Sequence, residues 1–304
     1  MIKYNLLENS LDYILDAVSR LNEPDPDKRS VKYALVHLWS GVELLLKKKL
    51  MDEHYSLIFK NIDDKKVSKK SLETGDFVSV YFNEIVKRLK DFCEIDIRDH
   101  IDILEKVRKD RNRIEHYQLE TSKTQIVSNL IKMWSFILDF TSKHLDISSD
   151  IICSRLFEEI KEIMIYHEEF IKNRTKVISS ELSTKLKEAK YDKPLKCPYC
   201  LQNAVPLLLN DEDEITCVFC NAIKNIKEFI VEWESTWNYS GPYDCLYCGS
   251  LESVCETENG WVCLRCCENW DSDEFGLCIS CETRLVLNPK KEPCCEFCLS
   301  NMYD

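Results

Sequence analysis

The sequence predicts a mainly α-helical protein that ends in small β modules held together by metal ions. Two observations lead to this prediction. No proline stands between Pro26 and Pro194, and apolar residues recur in this part of the chain at helical spacing. Beyond Pro194, cysteines come in Cys-x-x-Cys pairs, which are typical of tight turns that hold a metal ion. The two parts of the chain therefore have different architectures.

Apolar periodicity predicts five helices in the first half of the chain. The opening helix ends before Pro24, because proline interrupts a helix interior. In the second helix, Glu43 lies at the edge of the apolar face, where it can reach a basic neighbour. The polar stretch 61–76 shows no sustained period and is predicted to be a loop. After the opening helix, the predicted helices cover residues 27–51, 79–93, 97–117 and 123–144.

Residues 149–192 form a further run of helix-favouring residues without a breaker. Such a length exceeds that of an ordinary globular helix, so this segment is either one projecting helix or two helices joined at an unmarked kink. We therefore predict three parts: a helical domain at 1–148, a long helical extension at 149–192 and an array of three cysteine modules at 193–304.

Polar residues interrupt the apolar stripe of the helix predicted at 97–117. At about 100° per residue Arg111 falls on the stripe, while Asn112 and His116 lie side by side on its shoulder. These three side chains can therefore converge on one surface patch, beside Arg108. Such a pattern is typical either of a chemical site or of an ion-paired surface.

The segment Arg111-Asn112-x-x-x-His116 resembles the Arg-polar-spacer-His signature of HEPN domains. These are small all-helical modules, many of which are RNA-cleaving toxins and defence effectors. Upstream, the segment Tyr33–Lys47 is similar to the second helix common in such domains. The resemblance covers roughly residues 1–145, about half of the chain, and implies a HEPN-like helical bundle.

The resemblance also implies an activity. In that family, two copies of the helical domain pair as a homodimer, both motifs face one cleft, and RNA is cut without a metal ion by attack of its own 2′-hydroxyl. On this chain, His116 is expected to act as general acid or base, and Arg111 to neutralise the phosphorane oxygens. Asn112 is expected to orient the phosphate, and Arg108 and Arg113 to bind the RNA backbone. A role as a toxin or in defence against phage follows from the resemblance alone.

The cysteines predict structural zinc sites. Of the 17 cysteines, twelve form three repeated units of two Cys-x-x-Cys turns, separated by 16, 14 and 13 residues. Two residues between cysteines let a tight turn aim both sulfurs at one ion, and a hairpin brings the second turn beside the first. The units resemble zinc ribbons and predict about three Zn²⁺ ions, with the ligands Cys197, Cys200, Cys217, Cys220, Cys245, Cys248, Cys263, Cys266, Cys278, Cys281, Cys295 and Cys298.

These sites are expected to be closed and structural, because no histidine follows Lys193 and four thiolates leave no position for a reacting water. The ligand pairing stays open at this stage, since the second and third units can also interleave in a cross-brace. Three cysteines are spare: Cys255, Cys267 and Cys294. The last of these competes with Cys295 for the third site.

The two parts of the chain also differ in net charge. From Lys193 onward there are 8 Lys and Arg residues against 19 Asp and Glu residues, so this part carries −11 of the total −12. Phosphate binding depends on Lys and Arg, so a nucleic-acid-binding role of the cysteine modules is not expected. They are expected instead to bind a protein partner or trigger, or to lie over the basic helical cleft and restrain it.

Another class of function stays open beside the ribonuclease. Many domains of the HEPN family bind without cutting, so the chain can equally be a non-catalytic HEPN/zinc-ribbon adaptor that binds a protein or nucleic acid. The amino-terminus lacks a basic segment followed by an apolar run, and nowhere do eighteen apolar residues stand in sequence. A cytoplasmic protein that does not enter a membrane is the expectation.

Overall fold

The computed structural model describes residues 4–62, 67–118, 120, 122–208, 213–237, 242–258, 260–271, 274–281, 285–287 and 293–300. The chain is mainly helical, and its small antiparallel sheets are confined to the carboxyl-terminal part, which confirms the predicted class. Internal contacts divide it into two compact units, Met1–Arg174 and Thr175–Asp304. Among the described residues, no helix combines the length and the apolar character needed to span a bilayer.

The first unit contains the predicted helices with small shifts at their ends. Capping side chains start several of them: Asn5 and Glu8 form a capping box, Asp27 accepts from Ser30 N–H, and Ser122 accepts from Gln125 N–H. One short helix lies in the stretch predicted to be a loop, of which residues 63–66 fall outside the described residues. The helices are α1 Leu6–Leu21, α2 Lys28–Glu53, α3 Lys69–Thr74, α4 Phe82–Cys93, α5 Ile101–His116, α6 Lys123–His144, α7 Ile151–Ile165 and α8 Glu168–Glu188.

A glycine lets α1 and α2 pack closely along each other. A Cβ atom added at Gly41 would lie 2.6 Å from Ile14 Cγ1 and 2.9 Å from the Ser10 carbonyl oxygen. The buried Ser10 hydroxyl donates to the Gly41 carbonyl oxygen at 2.7 Å. The backbones therefore approach to a distance that only glycine permits.

Large aromatic side chains fill the core of this unit. Trp39 on α2 and Trp134 on α6 are both fully buried, and the ring centroids of Trp39 and Phe82 lie 5.1 Å apart in an edge-to-face arrangement. Trp134 packs against Phe170, with centroids 5.9 Å apart. The core thus connects α2 with α4, and α6 with the start of α8.

The predicted extension at 149–192 is not one projecting helix. The segment is divided into two helices, α7 and α8, as in the predicted alternative of two helices joined at a kink. Helix α7 packs on α1 within the first unit. Asp150 caps α7 and accepts a hydrogen bond from Asn5 Nδ2 at 3.0 Å, while Arg174 on α8 forms a buried ion pair with Asp139 at 2.7 Å. The helical unit therefore extends to Arg174 and does not end at residue 148, because these contacts add α7 and the start of α8 to it.

Among its described residues, the second unit contains the end of α8, short antiparallel hairpins and two further helices. In this described part, three sheets have two strands, β1-β2, β3-β4 and β8-β9, and one has three, β5-β6-β7. The strands are too short to bury a large core, so the cysteine groups lie among the buried residues of these hairpins. The elements are β1 Leu195–Lys196, β2 Asn203–Val205, β3 Glu214–Thr216, β4 Ile223–Asn225, α9 Ile226–Trp237, β5 Val254–Thr257, β6 Gly260–Cys263, β7 Asn269–Trp270, β8 Phe275–Leu277, β9 Leu285–Leu287 and α10 Glu296–Ser300.

Candidate functional site

Arg111 joins α5 to α2 through a pair of carboxylates. Its Nη2 lies 3.3 Å from Glu43 Oε2 on α2, and its Nη1 lies 2.8 Å from Glu115 Oε2 one turn further along α5. The guanidinium carbon lies 5.9 Å from the centroid of the Trp39 ring. Arg111 is therefore held in one orientation by two helices.

Glu43 is itself fixed by neighbours on its own helix. Trp39 Nε1 donates to Glu43 Oε2 at 3.1 Å, and Lys47 Nζ donates to Oε1 at 2.6 Å. The sequence predicts a basic neighbour for Glu43 but identifies neither Lys47 nor Trp39 as its partner. Positions 39, 43 and 47 follow one another at intervals of four, and this spacing is the signal that could have grouped them.

Arg111, Glu43, Glu115 and Lys47 form a group whose charges balance but which retains one unpaired hydrogen-bond donor. Arg111 and Lys47 face Glu43 and Glu115, so the four charges cancel. Within the described part of the chain, the buried Nε–H of Arg111 has no acceptor. The side chain is 21% exposed, so the guanidinium also has a limited opening to solvent. An anion that enters here meets an ordered guanidinium, which is suited to phosphate oxygens.

The other predicted site residues lie elsewhere on α5. Arg108 pairs with Glu105 at 2.7 Å, and its guanidinium lies 5.5 Å from the centroid of the Phe82 ring. His116 is the last residue of α5 and is exposed. The convergence of Asn112 with Arg111 and His116, and the backbone-binding role of Arg108, stay predictions.

A shallow recess lies on another side of α5. Asn112 and Arg113 line it together with Lys109 and Asp110, whereas Arg111 is not among the described residues that do so. Burial raises the pKa of the Asp110 carboxyl, although Lys106 and Arg113 oppose this shift. The residues that line the recess include three basic ones, Lys106, Lys109 and Arg113, and three acidic ones, Asp102, Glu105 and Asp110, so its formal charges balance.

The twelve predicted metal ligands form three groups, as the sequence predicts. In each group the four sulfurs lie within 4.8 Å of one another. A zinc–sulfur bond of about 2.3 Å sets the edge of a tetrahedron of sulfurs at about 3.8 Å. The sulfur–sulfur distances fit this value: 3.8 Å for Cys197–Cys220, 3.7 Å for Cys200–Cys217, 3.8 Å for Cys245–Cys266, 3.9 Å for Cys248–Cys263 and 3.9 Å for Cys281–Cys295.

The ligands pair in sequence order, and the cross-brace alternative does not occur. The third group uses Cys295, while Cys294 lies beside it. None of the described cysteines forms a disulfide. Four sulfurs at tetrahedral spacing fit a structural zinc ion in each group, for which the chain supplies a complete ligand set.

One backbone turn is repeated at the first two metal sites. In each Cys-x-x-Cys turn, the carbonyl oxygen of the first cysteine accepts from the N–H four residues later at 2.9 Å. The residue at that fourth position has a positive φ in all four turns. At the last turn it is Cys267, with a φ of 58°, so this spare cysteine completes a turn and is not a ligand. The four residues are Leu201, Asn221, Gly249 and Cys267.

The three sites differ in exposure. All four cysteines of the first site are buried, whereas the second exposes Cys248 and the third leaves Cys281 and Cys298 half-buried. At the second site, the Ser250 hydroxyl lies 3.2 Å from Cys248 Sγ, and the Ser253 hydroxyl lies 3.4 Å from Cys263 Sγ. Such hydrogen bonds stabilise thiolates at a metal site.

The chain matches no protein-family model, no curated protein and no solved structure.

Proposed function

We propose that the protein is a metal-independent endoribonuclease of the HEPN type that acts as a homodimer. The observation that carries the proposal is the clamped arginine: Glu43 and Glu115 hold Arg111 in one orientation, five residues before an exposed histidine. Preorganised guanidinium groups stabilise the charge that develops during phosphoryl chemistry, and an accessible imidazole exchanges protons near neutral pH. These are the two parts that metal-free cleavage of RNA by its 2′-hydroxyl requires.

In this mechanism each side chain has one task. His116 takes the proton from the 2′-hydroxyl or gives one to the leaving 5′-oxygen. Arg111 donates hydrogen bonds to the phosphorane oxygens from the partly exposed end of its guanidinium. Glu43 keeps the guanidinium in place, and a second protomer supplies the matching residues across the cleft.

We assign the RNA backbone to the recess on α5, where basic side chains stand among acidic ones. Arg113 and Lys109 are exposed there, and Asn112 adds an amide that can orient a phosphate. Arg108 is already paired with Glu105, so its contribution to RNA binding is smaller than that of Arg113.

The metal centres serve the second unit as structural elements. We assign zinc to them, because all-thiolate tetrahedral groups favour this ion and leave no open position for catalysis. With four thiolates and one Zn²⁺, each site adds a formal −2 to a region that already carries −11. We propose that this acidic surface binds a basic protein partner or trigger, or restrains the helical unit. Metal sites made of thiolates are also suited to the reducing cytoplasm.

The test is RNA cleavage by the purified chain. Labelled RNA is incubated in EDTA with the wild-type protein, with His116→Ala and with Arg111→Ala, and the zinc content is measured before and after. We expect each substitution to lower the cleavage rate by roughly 10²-fold or more. Arg98→Ala, at an arginine that is 68% exposed and pairs with Asp96, is the matched control. Cleavage that survives both changes at His116 and Arg111 would remove these roles.

A non-catalytic adaptor is the second candidate, and one observation favours it. Both Nη atoms of Arg111 already contact carboxylates, so its strongest anion-binding positions are occupied within the protomer. An adaptor predicts that expression in a host cell is equally tolerated with and without His116→Ala. A ribonuclease predicts toxicity that His116→Ala relieves.

A further inference from the structure

The third metal site brings together one more thiol than a zinc ion takes. Its four ligands are Cys278, Cys281, Cys295 and Cys298. The fifth thiol, Cys294, packs against the cluster that contains the buried ligands Cys278 and Cys295. Tetrahedral zinc is saturated by four sulfurs, so Cys294 remains a thiol that touches a metal ligand.

The other two spare thiols of the second unit have different surroundings. Cys255 is fully buried, and the Cys267 thiol donates to the Leu207 carbonyl oxygen at 3.8 Å. Cys294 is half-buried, and the adjacent ligand Cys281 is half-buried as well. Of these three spare cysteines, only Cys294 combines access from solvent with contact to the ligands of a metal site.

We propose that Cys294 is an oxidation site that opens the third metal centre: a hydroperoxide links its sulfur to that of Cys278, and the centre loses its ion. Hydrogen peroxide oxidises the half-buried Cys294 thiol to a sulfenic acid and leaves as water. Metal-bound thiolates are nucleophilic, so the buried Cys278 thiolate attacks the sulfenic sulfur, forming the S–S bond and releasing hydroxide. Two electrons pass from the two sulfurs to the peroxide, and the zinc ion stays divalent.

Loss of the ion follows from the ligand count. The disulfide removes Cys278 from coordination, so three thiolates remain where four held the zinc ion. The first site does not share this route, because all four of its cysteines are buried and the structure describes no fifth sulfur in contact with them. The ion of the third site should therefore leave before that of the first site.

The experiment uses the full chain loaded with zinc. Its metal content is counted by elemental analysis, hydrogen peroxide is added, released zinc is followed with a chromogenic chelator, and disulfides are mapped by mass spectrometry. We expect a first phase of one zinc ion per chain, accompanied by a Cys278–Cys294 disulfide and reversed by a thiol reductant. In Cys294→Ser this phase is slowed by about tenfold or more.

A control variant and three possible outcomes decide between this proposal and its alternatives. Cys93→Ser removes a half-buried cysteine of the helical unit and should leave the first phase unchanged. Equal rates of release in the wild type and in Cys294→Ser, or a first disulfide outside the third site, would overturn the proposal. So would a zinc content below that of the wild type in both Cys294→Ser and Cys294→Ala, because Cys294 would then be a ligand. None of these measurements depends on RNA cleavage.

Discussion

Arg111 and Glu43 are 68 residues apart in the chain, and their side chains meet at 3.3 Å between α5 and α2. Glu43 is at the same time 2.6 Å from Lys47, which is 9% exposed. This carboxylate therefore compensates two cations, one of them almost buried. Its charge supports both the position of Arg111 and the stability of the helical unit.

Glu43→Gln keeps the shape of the side chain and removes its charge. We expect RNA cleavage to fall by about 10²-fold, because the guanidinium loses an orienting partner. The free energy of unfolding should fall by about 1–3 kcal/mol, because Lys47 is left without its ion pair. Cleavage rates and thermal unfolding measure the two effects, and Glu53→Gln, at an exposed position on the same helix, is the control. Wild-type cleavage by Glu43→Gln would show that this carboxylate does not position Arg111.

Gly41→Ala tests the close packing of α1 on α2. The added methyl group would meet Ile14 Cγ1 at 2.6 Å and the Ser10 carbonyl oxygen at 2.9 Å, so the helices must move apart. We expect a loss of about 1–3 kcal/mol in the free energy of unfolding, although alanine favours a helix more than glycine does. Denaturant unfolding measures it. Unchanged or higher stability would mean that the interface gives way without strain.

Local patterns in the sequence were enough to predict much of this architecture, and distant pairings were not. The spacing of Cys197, Cys200, Cys217 and Cys220 identifies a metal site because ligand geometry is set within each turn. The partner of Glu43 could not be named, since several basic residues of α5 were equally eligible. The break before α8 has no proline or glycine, and it depends on contacts that the start of α8 makes with α6.

The buried ion pair between Arg174 and Asp139 gives the third prediction. Both guanidinium Nη atoms lie 2.7 Å from the carboxylate oxygens, and Arg174 is 1% exposed. Arg174→Met should lower the free energy of unfolding by about 3 kcal/mol, the lower end of the range for buried pairs, because the Asp139 carboxylate, which is 18% exposed, loses its partner. Adding Asp139→Leu should restore part of the loss. A double variant less stable than Arg174→Met would contradict this explanation.

Metal removal should affect the two units differently. An organomercurial that displaces zinc from the thiolates should abolish hydrogen-exchange protection in the β5-β6 hairpin, whose strand β6 ends at the ligand Cys263. Protection in α2 and α6 should persist, because the described ligand groups all lie in the second unit. Exchange measured by mass spectrometry distinguishes the two. Loss of protection in α6 together with β6 would show that the helical unit depends on the metal centres.

Stability of the helical unit should decrease on acidification, and His100 is one cause. Burial lowers the pKa of His100 below its ordinary value, although Asp139 and Asp99 oppose the shift. Below about pH 6.5 the unfolded chain therefore takes up a proton that the folded chain resists, and folding becomes less favourable until the lower folded-state pKa is passed.

His100→Phe retains the ring contact with Phe136 and removes this proton. Melting temperatures between about pH 7.5 and pH 5.5 should fall less steeply in His100→Phe than in the wild type. His116→Ala, at an exposed histidine, is the control; equal slopes for the wild type and His100→Phe would exclude His100 as a source of the acid sensitivity.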